Sequence, residues 1–182
     1  MLHGIHHDLF EFTQDKDFTD EIREAKKYLE NIFKRRVCVA SPPNNSLGIS
    51  ATLALEENNF NILTAFGHYP NERPFSLKNY FNFARLLHLY FLHGKRRRLT
   101  HPLVFENHSE QPCYEIGPMT KYEDLVSGLK FSIKNNGNFV VATHFYHLYD
   151  NSNLHTMLKD IVELAKELAP NQVEFVSAEN LF

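Results

Sequence analysis

Strand-like and helical segments alternate along this chain, and the alternation restricts the fold more than any other feature of the sequence. Short runs rich in β-branched and aromatic residues predict strands at 36–40, 60–66, 102–107, 137–144 and 173–177. Longer segments with apolar residues every three or four positions predict helices at 18–34, 76–94, 121–135 and 153–169, and one that ends near Glu57 after the possible cap residues Asn44, Asn45 and Ser46. This order predicts an α/β fold, a sheet or a barrel, with mostly parallel strands and outer helices.

The length and composition fit one domain. With 182 residues, 43% of them hydrophobic, the chain can bury one sizeable core and is short for two ordinary domains, so we expect a single domain over 1–182. The formal net charge of -3 argues against a protein that binds nucleic acid through an excess of positive charge. A neutral or polar small partner fits this charge balance better.

The sequence contains no feature typical of a secreted or membrane protein. The two cysteines, Cys38 and Cys113, form no recognisable disulfide framework and favour a reducing compartment. No apolar run approaches the length of about 20 residues that crosses a bilayer. The first residues also lack the basic start and apolar stretch of a secretion signal. We therefore predict a cytoplasmic protein with no transmembrane segment.

Histidines recur where the predicted strands end. Ligands of α/β folds bind at the carboxyl ends of the strands, so residues there are candidates for a site. The chain has 11 histidines, and those at the start of the chain or just after a predicted strand are His3, His6, His7, His68, His108, His144 and His147. Taken singly, His68, His101, His108 and His155 are expected to be ordinary loop residues.

The first residues of the chain, MLHGIHHDL, contain an HxxxH pair formed by His3 and His7. On a helical turn, or in a short loop that enters one, this spacing projects both imidazoles to the same side, as two ligands of one divalent metal require. Imidazole suits zinc, cobalt, nickel and iron(II). The same stretch is also compatible with a polar turn that binds no metal, and the spacing alone does not separate the two.

Three stretches in a fixed order resemble a known family. LHGIHHDLFEF, VASPPNNSL and FVVATHFYHL look like the later sequence blocks of the polysaccharide deacetylase family, also called the NodB-homology family. The likeness covers nearly the whole chain. Each motif is short, so the specificity of the resemblance comes from the order and separation of the motifs.

The resemblance implies a distorted (β/α) barrel of the glycoside hydrolase/deacetylase type, a divalent metal that is usually zinc, and hydrolysis of sugar N-acetyl groups by a metal-bound water. It assigns His3 and His7 as metal ligands. It assigns His144, at the end of a strand, as the catalytic acid, although a strand-end histidine bonded to backbone is the alternative. The residues that would line one wall of the substrate groove are Ser41, Pro42, Pro43 and Asn44.

The chain departs from the family at one subsite. The family's first block, a strand that ends in paired aspartates, supplies the base and the third metal ligand upstream of HxxxH, and this chain has no residues there. The arginine that orients the base is replaced by Ser41. Loss of the anionic ligand weakens metal binding, and a general base contributes about 10²- to 10⁴-fold. Asp8 and Glu106 are the candidate substitutes.

The sequence therefore supports two hypotheses. The first is a metal-dependent hydrolase domain resembling carbohydrate N-deacetylases, N-terminally truncated relative to the family, with impaired activity on an acetylated saccharide or a related small amide. The alternative is a non-catalytic carbohydrate-binding or assembly domain that keeps the groove. In both, a barrel without its first strands exposes strand edges, which favours homo-oligomers.

Overall fold

The computed structural model describes residues 1–8, 10–64, 77, 80–82, 84–85, 87–88, 99–144, 148–149 and 152–182. Within these ranges the protein is a mixed α/β structure with few, mostly parallel strands. The chain divides into two compact units. The first unit consists of Met1–Arg85, Pro102–Gln111 and Val176–Phe182, and the second of Leu86–His101 and Pro112–Phe175.

A four-stranded sheet organises the first unit. Its strands are β1 (Val39–Ala40), β2 (Asn61–Thr64), β3 (Leu103–Val104) and β4 (Ser109–Pro112), arranged in the order β1-β2-β4-β3. β1 and β2 are parallel, whereas β3 and β4 form an antiparallel pair. Leu2 adds a single parallel bridge to Ala40, so the start of the chain runs beside β1.

Before residue 65, the described part of this unit contains the helices α1 (Thr19–Phe33) and α2 (Ile49–Glu57). The apolar period of 18–34 thus predicted α1 to within one residue at each end. The core of the unit consists of Leu2, Phe12, Phe18, Ile22, Val37, Ala40, Ala51, Ala54, Leu55, Phe60 and Ile62. Phe12 and Phe18 meet edge to face within it, with ring centroids 5.5 Å apart.

The segments that precede α1 and α2 differ in structure. Phe18 is the N-cap residue of α1, and the Oδ1 of the preceding Asp17 accepts a hydrogen bond from the Thr19 N–H at 2.8 Å. That bond is the main reason why the pKa of Asp17 lies below its ordinary value. The second helix begins only at Ile49, later than the predicted caps. Residues Pro43–Asn45 instead form a 3-10 turn in which Asn44 has a φ of 53°, a left-handed conformation that asparagine tolerates.

The described part of the second unit includes a parallel strand pair and the helices α3 (Tyr122–Lys134) and α4 (Ser152–Leu168). β5 (Tyr114–Ile116) pairs with β6 (Val141–Thr143), and α3 connects the two strands. α4 follows β6 along the chain. A strand, helix, strand order with parallel pairing is the crossover unit expected from the sequence. The core of the unit consists of Tyr114, Ile116, Leu125, Leu129, Leu154, Ile161 and Ala165.

The predicted strands differ from the structure at several places. β4 was not predicted, because Glu110 and Gln111 are polar yet buried, so no apolar alternation marks it. β5 was not predicted either, because its alternation of buried Tyr114 and Ile116 with exposed Glu115 covers only three residues, too short a run to indicate a strand. The predicted strand at 173–177 is wrong: this described segment joins no sheet, and Phe175 is 61% exposed. Most of the predicted helix at 76–94 lies outside the described residues, and so do the last two residues of the predicted strand at 60–66.

Among the helices of the described ranges, none is long and apolar enough to cross a bilayer. The helices α1, α3 and α4 are amphipathic, and each packs one face on the core of its own unit. For example, α3 buries Leu125 and Leu129, while Lys130 on the same helix is exposed. This is the pattern of a helix with one packed face.

Gly128 gives a test of the packing in the second unit. A Cβ at this position of α3 would lie 2.6 Å from the Tyr114 Oη, and the Tyr114 ring is held by Phe139, with centroids 5.0 Å apart. We therefore expect Gly128→Ala to lower the free energy of unfolding by about 1–3 kcal/mol through overpacking. At an exposed position inside a helix, a glycine-to-alanine substitution would instead raise the free energy of unfolding by about 1 kcal/mol.

Urea denaturation of both proteins measures this difference. Lys130→Ala is the matched control, because Lys130 is exposed on the same helix, and its effect should stay within about 0.5 kcal/mol. A Gly128→Ala protein as stable as the parent would contradict the close approach of α3 to β5.

Candidate functional site

The histidine turn, defined as residues 3–8, starts at the edge of the first unit's sheet. The Leu2 N–H donates to the Val39 carbonyl at 2.8 Å, and the Ser41 N–H donates to the Leu2 carbonyl at 2.8 Å. Since Leu2 runs parallel to β1, the residues that follow Leu2 and the residues that follow Ala40 leave the sheet at the same edge. The histidine turn therefore lies beside the segment from Ser41 to Asn44.

His3 is anchored to this neighbouring segment. Its Nδ1 lies 2.6 Å from the Ser41 carbonyl oxygen. A carbonyl can only accept a hydrogen bond, so Nδ1 is the donor in this contact. Histidines that bind metals through one nitrogen commonly donate the other N–H to a backbone carbonyl or a carboxylate. The half-buried His3 has this second-nitrogen contact.

His7 lies next to His3, as the HxxxH spacing requires of a shared site. The two ring centroids are 4.9 Å apart and the ring planes meet at 62°, an edge-to-face contact. The stretch is not helical: it is a loop that leads into a 3-10 turn at Glu11–Thr13. His7 has a φ of 60°, which is uncommon outside glycine but enriched for histidine, asparagine and aspartate. Its side chain is exposed to solvent.

Glu11 supports the turn from inside, and the sequence interpretation did not single it out. Its carboxylate accepts hydrogen bonds from the backbone N–H groups of Ile5, His6 and Asp8, and Glu11 is only 5% exposed. The Glu11 N–H donates in return to the Asp8 carbonyl at 3.2 Å. The contact from the Asp8 N–H to the Glu11 carboxylate spans three residues, the same separation as in the glutamate half of a capping box. The DxxE spacing from Asp8 to Glu11 was the sequence pattern that could have revealed it.

Of the predicted groove residues, Ser41 and Pro43 lie against the histidine turn. Pro42 and Pro43 are buried, whereas Asn44 is exposed. Gly4 packs directly on this wall: its φ is +78°, and an added Cβ would lie 2.8 Å from the Pro43 Cγ. Only glycine combines that backbone conformation with so close an approach.

Histidine nitrogens are common ligands of zinc and cobalt, so His3 and His7 are the residues here that could contribute to such a site. Across the described ranges, no group of three or more His, Cys, Asp or Glu side chains is arranged to hold a metal ion. The suggested substitutes Asp8 and Glu106 are both exposed and do not complete such a group with His3 and His7. The donor set found in the described part of the chain is thus a histidine pair.

His144 lies in the second unit, directly after β6. It is half-buried, and its carbonyl accepts a hydrogen bond from the Leu148 N–H at 3.3 Å. The expected position at the end of a strand is therefore present. The role of His144 as an acid stays a prediction from the resemblance. His147, three residues on, lies outside the described residues.

A second cluster of titratable groups lies inside the first unit, where the sequence predicted an ordinary loop residue. The His108 ring is fully buried between two carboxylates, with its Nδ1 2.6 Å from the Glu56 Oε1 and its Nε2 2.9 Å from the Glu110 Oε1. Phe105 stacks on the ring, with centroids 4.8 Å apart. The cluster joins α2 to β4.

The environment of His108 favours the imidazolium. Burial by itself lowers the pKa of His108, but the hydrogen bonds to Glu110 and Glu56 outweigh burial and raise the pKa above its ordinary value of 6.5. Both ring nitrogens contact carboxylates, so His108 holds two elements together and has no nitrogen left for a ligand. Its partner Glu56 is distant in sequence, which is why no spacing motif revealed the cluster.

Comparisons with known proteins identify no family. No family model matches the chain, and no curated protein or solved structure matches it significantly. A function must therefore be argued from the side chains of the site and their geometry.

The charged His108 gives a prediction on pH. Because its folded-state pKa is raised above the unfolded value of about 6.5, its contribution to stability is complete below that pH. The contribution is lost as the pH rises through the folded pKa. We expect the free energy of unfolding to fall across this window in the parent protein and to change less in His108→Gln.

Urea denaturation between pH 6 and 9 checks this slope. His155→Gln is the control, because His155 is an exposed histidine of α4 and its removal should leave the slope unchanged. Equal slopes for the parent and His108→Gln would show that the cluster does not carry the pH dependence.

Proposed function

We propose that this chain is a metal-dependent hydrolase domain of the polysaccharide deacetylase type, which removes acetyl groups from an acetylated saccharide or a related small amide. One observation carries the proposal: His3 and His7 lie together, and His3 is anchored on the Ser41 carbonyl at the carboxyl edge of β1. A histidine pair oriented in this way is suited to binding a divalent metal.

Each residue of the site has a role in the proposal. His3 and His7 hold the metal, most simply zinc. A zinc ion bound there supplies polarisation of an amide carbonyl and a water ligand of lowered pKa. The Ser41 carbonyl orients the His3 ring, and Pro42, Pro43 and Asn44 form the groove wall. His144 belongs to the second unit, and its role as the acid that protonates the leaving amine rests on the resemblance alone.

The proposal includes reduced activity. Among the described residues no carboxylate joins the histidine pair, whereas a zinc hydrolase of this kind uses a third protein ligand. A general base contributes about 10²- to 10⁴-fold to such reactions. We therefore expect acetate release that is slow and strongly dependent on added metal.

An incomplete distorted (β/α) barrel is the finer form of the fold in this proposal. Such a barrel requires parallel pairing, and each unit by itself contains one parallel pair, β1–β2 in the first unit and β5–β6 in the second. The helix α3 between β5 and β6 is the connection that such barrels repeat. The antiparallel pair β3–β4 is the departure from it.

Metal binding tests the histidine pair directly. Cobalt(II) titration, followed by the visible absorption of the bound ion, should show binding to the parent protein and a loss of affinity of at least about tenfold in His3→Ala and His7→Ala. His6→Ala is the matched control, because His6 is exposed in the same turn and is not a proposed ligand. Unchanged affinity in both His3→Ala and His7→Ala would refute the site.

Acetate release tests the reaction. Acetylated sugar oligomers with added zinc or cobalt should yield acetate with the parent protein, and less with His144→Asn. If calorimetry shows that the same oligomers bind but no acetate is released, the protein is a non-catalytic carbohydrate-binding domain. If the protein releases no acetate and binds no oligomer, both functions are rejected.

A further inference from the structure

We infer that Glu11 is the positioning residue of the histidine turn: its carboxylate holds the backbone in the conformation that brings His7 beside His3. The part of this inference that concerns metal affinity rests on the proposed function. The part that concerns the order of the turn does not.

The first support is the number of hydrogen bonds on one carboxylate. Oε1 of Glu11 accepts from the Ile5 N–H at 2.5 Å, and Oε2 accepts from the His6 and Asp8 N–H groups at 3.1 Å each. Hydrogen bonds to an ionised acceptor are roughly twice as strong as neutral ones. Both oxygens are therefore committed to the backbone of the turn, which suits a support and not a metal ligand.

The second support is where these bonds fall. The N–H groups of His6 and Asp8 lie immediately before and after His7, so Glu11 fixes the backbone on both sides of the proposed ligand. His7 itself has a φ of 60°, and a non-glycine residue keeps such a conformation only when its surroundings impose it. The hydrogen bonds of Glu11 to the amides on both sides of His7 hold it in this conformation.

The third support is the packing of Gly4 against the same carboxylate. A Cβ on Gly4 would lie 3.1 Å and 3.2 Å from the two carboxylate oxygens of Glu11. The backbone of the turn thus rests on Glu11 at its start as well as around His7. If the two ligands are already in position, metal binding does not carry the entropic cost of ordering the turn.

Glu11→Gln is the informative variant. Glutamine keeps one acceptor oxygen but replaces the other with an NH₂ group that cannot accept a hydrogen bond. Glu24→Gln is the matched control, because Glu24 is exposed on α1. Circular dichroism of both variants checks that the fold is kept.

Amide hydrogen exchange in the metal-free protein, measured by NMR, reads the turn itself. In Glu11→Gln we expect the protection of the Ile5, His6 and Asp8 amides to fall at least about tenfold. The Ser41 amide, bonded to the Leu2 carbonyl, should keep its protection, which separates a loss of the turn from a loss of the sheet. Unchanged protection of the three turn amides would overturn the inference.

Cobalt(II) affinity reads the consequence for the site. We expect Glu11→Gln to bind cobalt about 10- to 100-fold more weakly than the parent, the usual effect of removing a residue that orients metal ligands. Equal affinity together with lost protection would overturn the role of Glu11 in the site. A parent protein that binds no cobalt, with protection lost only in Glu11→Gln, would refute the proposed function and support the positioning of the turn.

A second variant covers the case in which Glu11→Gln does not fold. Gly4→Ala keeps the glutamate but pushes the turn away from it, through the contacts of the added Cβ with Glu11 and Pro43. The same three amides should then lose protection. Full protection in Gly4→Ala would overturn the inference.

Discussion

Two backbone hydrogen bonds of Leu2, one to Val39 of β1 and one from Ser41 just after β1, determine where the candidate site is. They place the start of the chain parallel to β1, so the histidine turn and the Ser41–Asn44 segment leave the sheet at the same edge. The contacts between the turn and this segment depend on the pairing: the bond from His3 to the Ser41 carbonyl and the packing of Gly4 on Pro43. Leu2 itself is buried in the core, so its apolar side chain and its backbone bonds hold the turn together.

Buried carboxylates perform two different tasks in the first unit. Glu11 accepts three hydrogen bonds from a turn next to it in sequence, whereas Glu110 binds the buried His108 with Glu56 on the other side of the ring. An ionised group inside a protein is tolerated only when it is paired or hydrogen-bonded. Glu11 therefore fixes a local conformation, and the His108 cluster fixes the packing of α2 against β4.

The two kinds of histidine in this unit differ through their partners. His108 is buried, and carboxylates at both nitrogens favour its charged form, which makes it a structural cation. The Nδ1 of His3 instead contacts an uncharged partner, the Ser41 carbonyl. The number and charge of the partners, and not the position in the sequence, decide which histidine suits a ligand.

The sequence by itself determined α1, α3 and α4 to within one or two residues, because the period of 3.6 residues in their apolar positions is a local property. It also determined the HxxxH pair and the parallel character of most strands. Only the tertiary structure decided that β4 and β5 are strands, that 173–177 is not, and that His108 is enclosed by two glutamates. These features depend on which residues from distant parts of the chain become neighbours, and local periodicity carries no record of partners that folding alone brings together.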